Sequence, residues 1–184
     1  MDFGDRTAVI RITNSAHHGM ASSGPAFPQG VFGAPSASLA RGFPVHFDPS
    51  AFIADQELLR ALGERAVAVA CEQEQVLFRQ GDAPEQLFIL HQGEATLTMH
   101  APDGDLVFSV PAAVGSLLGL PGLVGNQPYT LTATAHAGAE VSSVAREAVM
   151  ELMRTDPSVS LNVLKVLAAE VRSARRAISP GAIS

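Results

Sequence analysis

Between residues 77 and 144, short apolar runs are separated by glycine-containing turns. Each run has the length of a β-strand, and the run at 94–100 alternates between apolar and polar positions with a period of two. The intervening segments carry residues that turns prefer, as in the Pro-Asp-Gly-Asp sequence at 102–105. We therefore predict alternating strands and turns, with strands at 75–80, 87–90, 94–100 and 106–110.

Helical patterns flank the predicted strands on both sides. Asp48 can cap a helix that has proline at its first position and an apolar face ending at Gly63. Beyond the last strand we predict a short helix over 145–154, and the Asp-Pro pair at 156–157 starts a longer helix that runs to about Ile178. Spacings of three and four predict an apolar stripe along this last helix, formed by Val163, Leu167, Val171, Ala174 and Ile178.

Residues 1–45 differ in composition from the rest of the chain. Ser, Gly, Ala and Pro crowd residues 15–40, and such a segment buries too little apolar surface to offset the entropy lost on ordering. We expect a flexible leader at 1–45, a structured domain at 46–178 and a short tail at 179–184. The chain also lacks the basic flank and long apolar core of a signal peptide, and no run reaches the roughly 18 apolar residues of a membrane span.

Composition and charge narrow the functional classes. The 184 residues suit one domain, and the formal net charge of -6 lacks the basic character typical of a nucleic-acid surface. Cys71 is the only cysteine, which excludes an intramolecular disulfide and favours a reducing cytoplasm. The sequence shows no nucleophile with a base, no paired carboxylates and no metal-ligand spacing, so we predict neither an enzymatic activity nor a metal site.

The order of glycines and apolar runs resembles the cyclic-nucleotide-binding domain family, the sensor of catabolite-activator-type and fumarate-nitrate-type regulators and of kinase regulatory subunits. The matching features are Phe78 with Gly81 and Asp82, residues 87–90 followed by Gly93, Asp103 with Gly104, and Val114 with Gly115. The resemblance covers roughly residues 47–178. It implies a mainly β, jelly-roll-like β-roll with an N-terminal helix and C-terminal helices, the last one long, and a regulatory rather than enzymatic role.

The residues that hold the nucleotide in this family differ in this chain. The resemblance places Gly115 at a glycine that nucleotide-binding members follow with a ribose-binding glutamate, and Ser116 stands at that following position. It places Tyr129 at the arginine that pairs with the cyclic phosphate, and positions 80–145 contain no Lys or Arg. Each hydrogen bond to a charged group is worth about 1.5 to 3 kcal/mol. We therefore expect that the chain is not a standard cAMP receptor and has no certain cofactor.

Two interpretations of this altered site follow. On the first, the chain senses a nucleotide-like or other small ligand, held by backbone N–H groups of a helical turn after Gly115 and by the hydroxyls of Ser116 and Thr130. On the second, the β-roll is a ligand-free interaction or dimerisation module, or the sensor fragment of a longer transcription regulator. The predicted ligand-binding residues are Leu97, Val107, Gly115, Ser116, Leu117, Leu118, Tyr129 and Thr130.

The last helix indicates which partners to expect. In the resembling regulators a long helix forms the dimer seam and leads to a helix-turn-helix that grips DNA. Small residues in the helix at 157–178 allow close approach of another helix, so we expect a homodimer or a partner protein there, with a face folded back on the roll as the alternative. Only six residues follow Ile178, so we expect no direct DNA binding by this chain and no membrane contact.

Overall fold

The structure is a computed structural model and describes residues 48–178 of the chain. The burial of side chains is described for residues 48–176. The predicted leader at 1–45 and tail at 179–184 lie outside the described residues. A 3₁₀ helix at Pro49–Phe52 precedes the strands β1 (Val67–Ala70), β2 (Gln75–Phe78), β3 (Gln86–Gln92), β4 (Ala95–His100), β5 (Leu106–Ala112), β6 (Leu117–Leu118), β7 (Thr132–Ala135) and β8 (Glu140–Ala145). The α-helices are α1 (Gln56–Gly63), α2 (Leu120–Gly125), α3 (Arg146–Thr155) and α4 (Pro157–Ile178).

The strands form two antiparallel four-stranded sheets. One has the order β1-β8-β3-β6 and the other β2-β7-β4-β5. The predicted turn at 102–105 joins β4 to β5, and Gly104 adopts a φ of +93° there, which glycine reaches without a Cβ penalty. Strands β2 to β5 correspond to the four predicted strands, and the predicted mainly β, jelly-roll-like β-roll with helices at both ends is confirmed.

Strand β3 separates the two hydrophobic clusters of the domain. Phe88 and Leu90 point between the sheets, whereas Leu87 and Ile89 point toward the helices on the other face. Successive side chains of a strand alternate between its faces, so a strand covered on both sides needs a continuous apolar run. The interior of the roll and the layer beneath the helices are therefore distinct cores.

The N-terminal helical region differs from its prediction. Asp48 does act as a cap, because its carboxylate accepts a hydrogen bond from the Ser50 N–H at 3.0 Å, but the helix it starts is the short 3₁₀ helix. The chain then extends, and Asp55 caps α1 by accepting from the Leu58 N–H at 2.8 Å. The prediction of a single helix from Asp48 to Gly63 was wrong because it missed this second cap, although its end at Gly63 is confirmed.

Helix α4 has the predicted bounds but two apolar faces. The inner face packs against the domain, and the buried residues of α4 are Val159, Asn162, Val163, Val166, Glu170 and Ser173. The outer face is exposed, and its residues are Leu161, Leu164, Ala168 and Val171. The predicted stripe is divided between them, since Val163 is buried and Val171 is exposed. No helix between residues 48 and 178 is long and apolar enough to cross a membrane.

Candidate functional site

Tyr129 lies in the interior of the β-roll, stacked against Phe78. The two ring centroids are 4.1 Å apart with 26° between the ring planes, and Tyr129 is only 5% exposed. Its hydroxyl donates to the backbone carbonyl of Gln86 and accepts from the Gln86 N–H at 3.1 Å. Burial raises the pKa of the phenol, so the side chain is neutral at ordinary pH. Both the apolar ring and the polar hydroxyl therefore have partners inside the protein.

The backbone at Tyr129 is bonded to the loop that precedes β3. The Tyr129 N–H donates to the Asp82 carbonyl at 3.0 Å, and the Gly81 N–H donates to the Tyr129 carbonyl at 2.8 Å. Gly81 adopts a φ of +91° to make this approach. Hydrogen bonds of the backbone and of the hydroxyl together hold the Tyr129 ring in place as one side of the site.

Two glycines leave the space that the tyrosine ring occupies. A Cβ on Gly119 would lie 2.7 Å from Cε1 of Tyr129, and a Cβ on Gly122 would lie 3.3 Å from Cδ1. Gly115, by contrast, faces Ile53 and Leu59. The glycine opposite Tyr129 is therefore Gly119, which the sequence argument had not assigned to the site. The residue after it is Leu120, so the position next to this glycine also lacks a carboxylate.

The helical turn expected after Gly115 is not formed. The Gly115 N–H donates to the Leu90 carbonyl at 2.8 Å, and the Ser116 N–H donates to the Ala113 carbonyl at 3.1 Å. The next residues form β6, which pairs with β3, and α2 begins only at Leu120. The prediction of an anion cradle from these N–H groups was wrong because they already bond to backbone carbonyls. Ser116 is fully buried, and within the described residues its Oγ has no hydrogen-bond partner.

A cavity of about 40 Å³ lies beside Tyr129 and beneath α4. Five of the predicted ligand-binding residues line it: Leu97, Leu117, Leu118, Tyr129 and Thr130. Gly115, Ser116 and Val107 do not, and Val107 is exposed on β5. Pockets for drug-sized ligands usually measure about 300 to 1,000 Å³. A water needs about 10 to 15 Å³ by this measure, so the cavity has room for a few waters and not for a nucleotide.

Glu170 brings a carboxyl group from α4 to this cavity. The residue is 8% exposed, and Oε1 has no hydrogen-bond partner among residues 48–178. Burial raises the pKa of Glu170 to about 8. Glu170 was not among the predicted site residues, but the spacing of four and three that places Val159, Val163 and Val166 on the inner face also places Glu170 there.

An open groove of about 330 Å³ lies on the other side of the tyrosine ring. Phe78, Phe88 and Tyr129 line it together with the carboxylates of Asp82 and Glu85. Neither the groove nor the cavity has a Lys or Arg in its lining. Both are therefore poor sites for a phosphate group, which binds best where a cation pairs with it. No cluster of His, Cys, Asp or Glu within 48–178 is arranged to hold a metal ion.

Comparison with known proteins finds one family model and several solved structures that are similar to this chain. A family model described as cyclic nucleotide-binding domain matches residues 68–156. A comparison with curated proteins finds no match. Among solved structures, the catabolite activator protein of Thermus thermophilus is similar with 22% identity and a TM-score of 0.59, over 70% of this chain and 61% of that protein.

Two further structures share the architecture. The N-terminal domain of a transcriptional regulator from Streptomyces coelicolor A3(2) has 21% identity and a TM-score of 0.53, over 73% of this chain and 94% of that one. The regulatory domain of Toxoplasma gondii PKA, solved with cAMP, has 18% identity and a TM-score of 0.52, over 64% of this chain and 43% of that one. This chain thus spans about three fifths of the Thermus protein. At these identities the likeness establishes the fold.

Proposed function

We propose that the chain is a non-enzymatic regulatory module of the cyclic nucleotide-binding domain family, whose model matches residues 68–156. In this proposal the module does not use a cyclic nucleotide as its ligand and acts through contacts of α4. The observation that carries this proposal is the tyrosine ring that fills the site. Tyr129 is stacked on Phe78, bonded to Gln86 and packed against Gly119. The cavity left between the ring and α4 is about 40 Å³.

Electrostatics support the same conclusion. A buried cyclic phosphate needs a paired cation, because a buried charge without a partner carries a large desolvation penalty. The phenol of Tyr129 is neutral, and the ionisable group that faces it across the cavity is the carboxyl of Glu170. The site therefore offers a phosphate no positive charge, and its carboxyl group would repel the phosphate when ionised.

The test is a titration with cAMP, cGMP and cyclic dinucleotides, followed by calorimetry and by tyrosine fluorescence. Tyr129 is the only tyrosine and the chain has no tryptophan, so the emission reports on this site alone. We expect no saturable heat with ligand at about 1 mM, a concentration that detects binding of about 4 kcal/mol or stronger. We also expect no change in emission beyond the loss that the corresponding acyclic nucleotide causes by absorbing the exciting light. Saturable micromolar binding accompanied by a change in tyrosine emission would overturn the proposal, and acyclic AMP serves as the control for non-specific effects.

The outer face of α4 supports the second half of the proposal. Leu161, Leu164, Ala168 and Val171 recur at spacings of three, four and three, the pattern of a seam between two helices. The inner face of α4 is already covered by the domain, so the outer face is the one left for a partner. We propose that a second copy of the chain covers it, because a heptad-spaced stripe on one surface is self-complementary about a two-fold axis.

Leu164 and Leu106 provide a matched pair of variants, since each is 57% exposed. Leu164 lies on the outer face of α4, and Leu106 lies at the start of β5. We expect the native chain and Leu106→Glu to self-associate in sedimentation equilibrium, and Leu164→Glu to be monomeric. A native chain that stays monomeric at every concentration, or equal weakening by both substitutions, would contradict dimerisation through α4.

A further inference from the structure

Glu170 is a buried acid, and one of its two carboxyl oxygens has no partner among residues 48–178. The residue is 8% exposed, and Oε1 accepts no hydrogen bond from the residues that the structure describes. Buried polar groups are almost always hydrogen-bonded, and leaving one unpaired costs free energy. The cavity beside Glu170 is where a partner can be placed, because the residue itself forms part of the cavity wall.

Among residues 48–178, no side chain in the cavity wall supplies a cation for this acid. No Lys, Arg or His lines the cavity, and the other titratable side chain in its wall is the neutral Tyr129. On α4, the Lys165 ammonium donates to Asn162 Oδ1 at 2.8 Å, and Arg172 and Arg176 are exposed. Burial alone accounts for the raised pKa of Glu170, with no contribution from a neighbouring charge. The described residues therefore leave the place of a positive partner open to a bound molecule.

The rest of the cavity wall suits a small organic cation. The aromatic side chains of Phe52, Phe78 and Tyr129 contribute to the lining, and ammonium groups are attracted to the faces of aromatic rings. Thr130 and Pro121 are both exposed and both line the cavity, so it reaches the surface between them. The Thr130 hydroxyl can accept a hydrogen bond from an N–H group at that opening.

We propose that this cavity binds the ammonium group of a small organic amine, with Glu170 as the counter-ion, the aromatic side chains around the alkyl part, and the opening at Thr130 as the exit for any longer substituent. This names the ligand class of the module proposed above and rests on that proposal. The cavity volume of about 40 Å³ limits the enclosed part to a head group about as large as a few waters.

Binding of such a cation requires the ionised form of Glu170. Since burial keeps the carboxyl protonated in the free protein at neutral pH, an amine that binds as the ammonium ion displaces that proton to solvent. Charge is conserved in this exchange, because one proton leaves as one cation enters. Proton release is therefore a signature that non-specific binding of an amine to the surface does not produce.

The experiment is a calorimetric titration of the full chain with methylamine and ethylamine at neutral pH, repeated in buffers of different ionisation enthalpy, with tyrosine emission recorded in parallel. We expect saturable binding, a change in tyrosine emission and release of close to one proton for each amine bound. Glu170→Gln should weaken binding at least tenfold and abolish proton release. Glu147→Gln makes the same chemical change at an exposed position of α3 and should leave both unchanged.

Ethanol, the uncharged analogue of ethylamine, is titrated in the same way, and equal affinity for the two would overturn the amine site. The amine site would also be overturned by unchanged binding in Glu170→Gln, or if neither amine bound saturably. These failures are distinguishable from failure of the proposed function, which the cyclic nucleotide titration tests separately. Nucleotide binding without amine binding would overturn both proposals. If neither the nucleotides nor the amines bind, the amine site alone is overturned.

Discussion

Replacing Glu170 with glutamine should make the domain more stable at high pH and leave its stability at low pH nearly unchanged. Glutamine has the size of the protonated acid but cannot ionise. In the folded protein, burial raises the pKa of Glu170 from 4.5 to about 8. Between these values the unfolded chain has lost the proton and the folded chain still holds it. The folded state then binds more protons, so the free energy of unfolding falls as the pH rises.

The size of the effect follows from the two pKa values. They differ by about 3.5, and each pH unit in that interval lowers the free energy of unfolding by about 1.4 kcal/mol. The native chain should therefore lose up to about 5 kcal/mol between pH 4.5 and pH 8, an upper limit because water in the adjoining cavity solvates the carboxylate. Above the folded pKa, both states are ionised and the loss is complete.

Urea unfolding measured at a series of pH values from 4.5 to 8 tests this reasoning, with circular dichroism as the probe. Protein concentration is held fixed because self-association adds to stability. The curve of Glu170→Gln should separate progressively from that of the native chain as the pH rises. Hydrogen bonds from Ser50 and Ser158 lower the pKa values of Asp48 and Asp156, so those two carboxyls affect stability at more acid pH.

Parallel curves for the native chain and Glu170→Gln would refute the argument, because they would mean that Glu170 has the same pKa in both states. A variant less stable than the native chain at pH 8 would also refute it, since the ionised carboxylate would then have a stabilising partner. Glu147→Gln is the control, and its curve should run parallel to that of the native chain because Glu147 is exposed.

Urea unfolding of four further variants tests the packing around Tyr129 and the cap of α1. Gly119→Ala should lower the free energy of unfolding by about 1 to 3 kcal/mol more than Gly81→Ala does. Both glycines have a φ of +91°, but only a Cβ at Gly119 would also overlap the ring of Tyr129. Equal losses of stability in the two variants would show that the ring can move aside. Tyr129→Phe should lower the free energy of unfolding by about 1 to 3 kcal/mol, because the backbone of Gln86 loses its hydroxyl partner. An unchanged urea midpoint would mean that water replaces the hydroxyl. Asp55→Ala should cost about 1 kcal/mol by removing the cap of α1, and no loss would show that α1 needs no side-chain cap.

The strands could be predicted because their side chains obey the period of two. In β4, Ala95 and Leu97 are buried while Thr96 and Thr98 are partly exposed, as alternation requires. The bounds of α4 were equally accessible, because Asp156 and the proline after it form a strong start signal. Local sequence patterns were therefore enough to predict most of the strands and helices.

The site was harder to predict because it depends on contacts between distant segments. Residues 113–123 are apolar, small or glycine throughout, and such a run does not distinguish a short strand from a helix, so the turn was placed after Gly115 instead of Gly119. The sequence shows Tyr129 at the position where the family resemblance places an arginine. That the ring fills the site is evident only from its contacts with Phe78 and Gly119.

Helix α4 is a wall shared by two compartments. Glu170 faces the cavity on one side, and Val171, the next residue, lies exposed on the other. A rotation of α4 about its own axis that moves Glu170 out of the cavity must therefore turn Val171 and Leu164 as well. If binding in the cavity rotates α4 in this way, occupancy of the cavity and association of two chains through the outer face would be coupled, and each would change the other by the same factor.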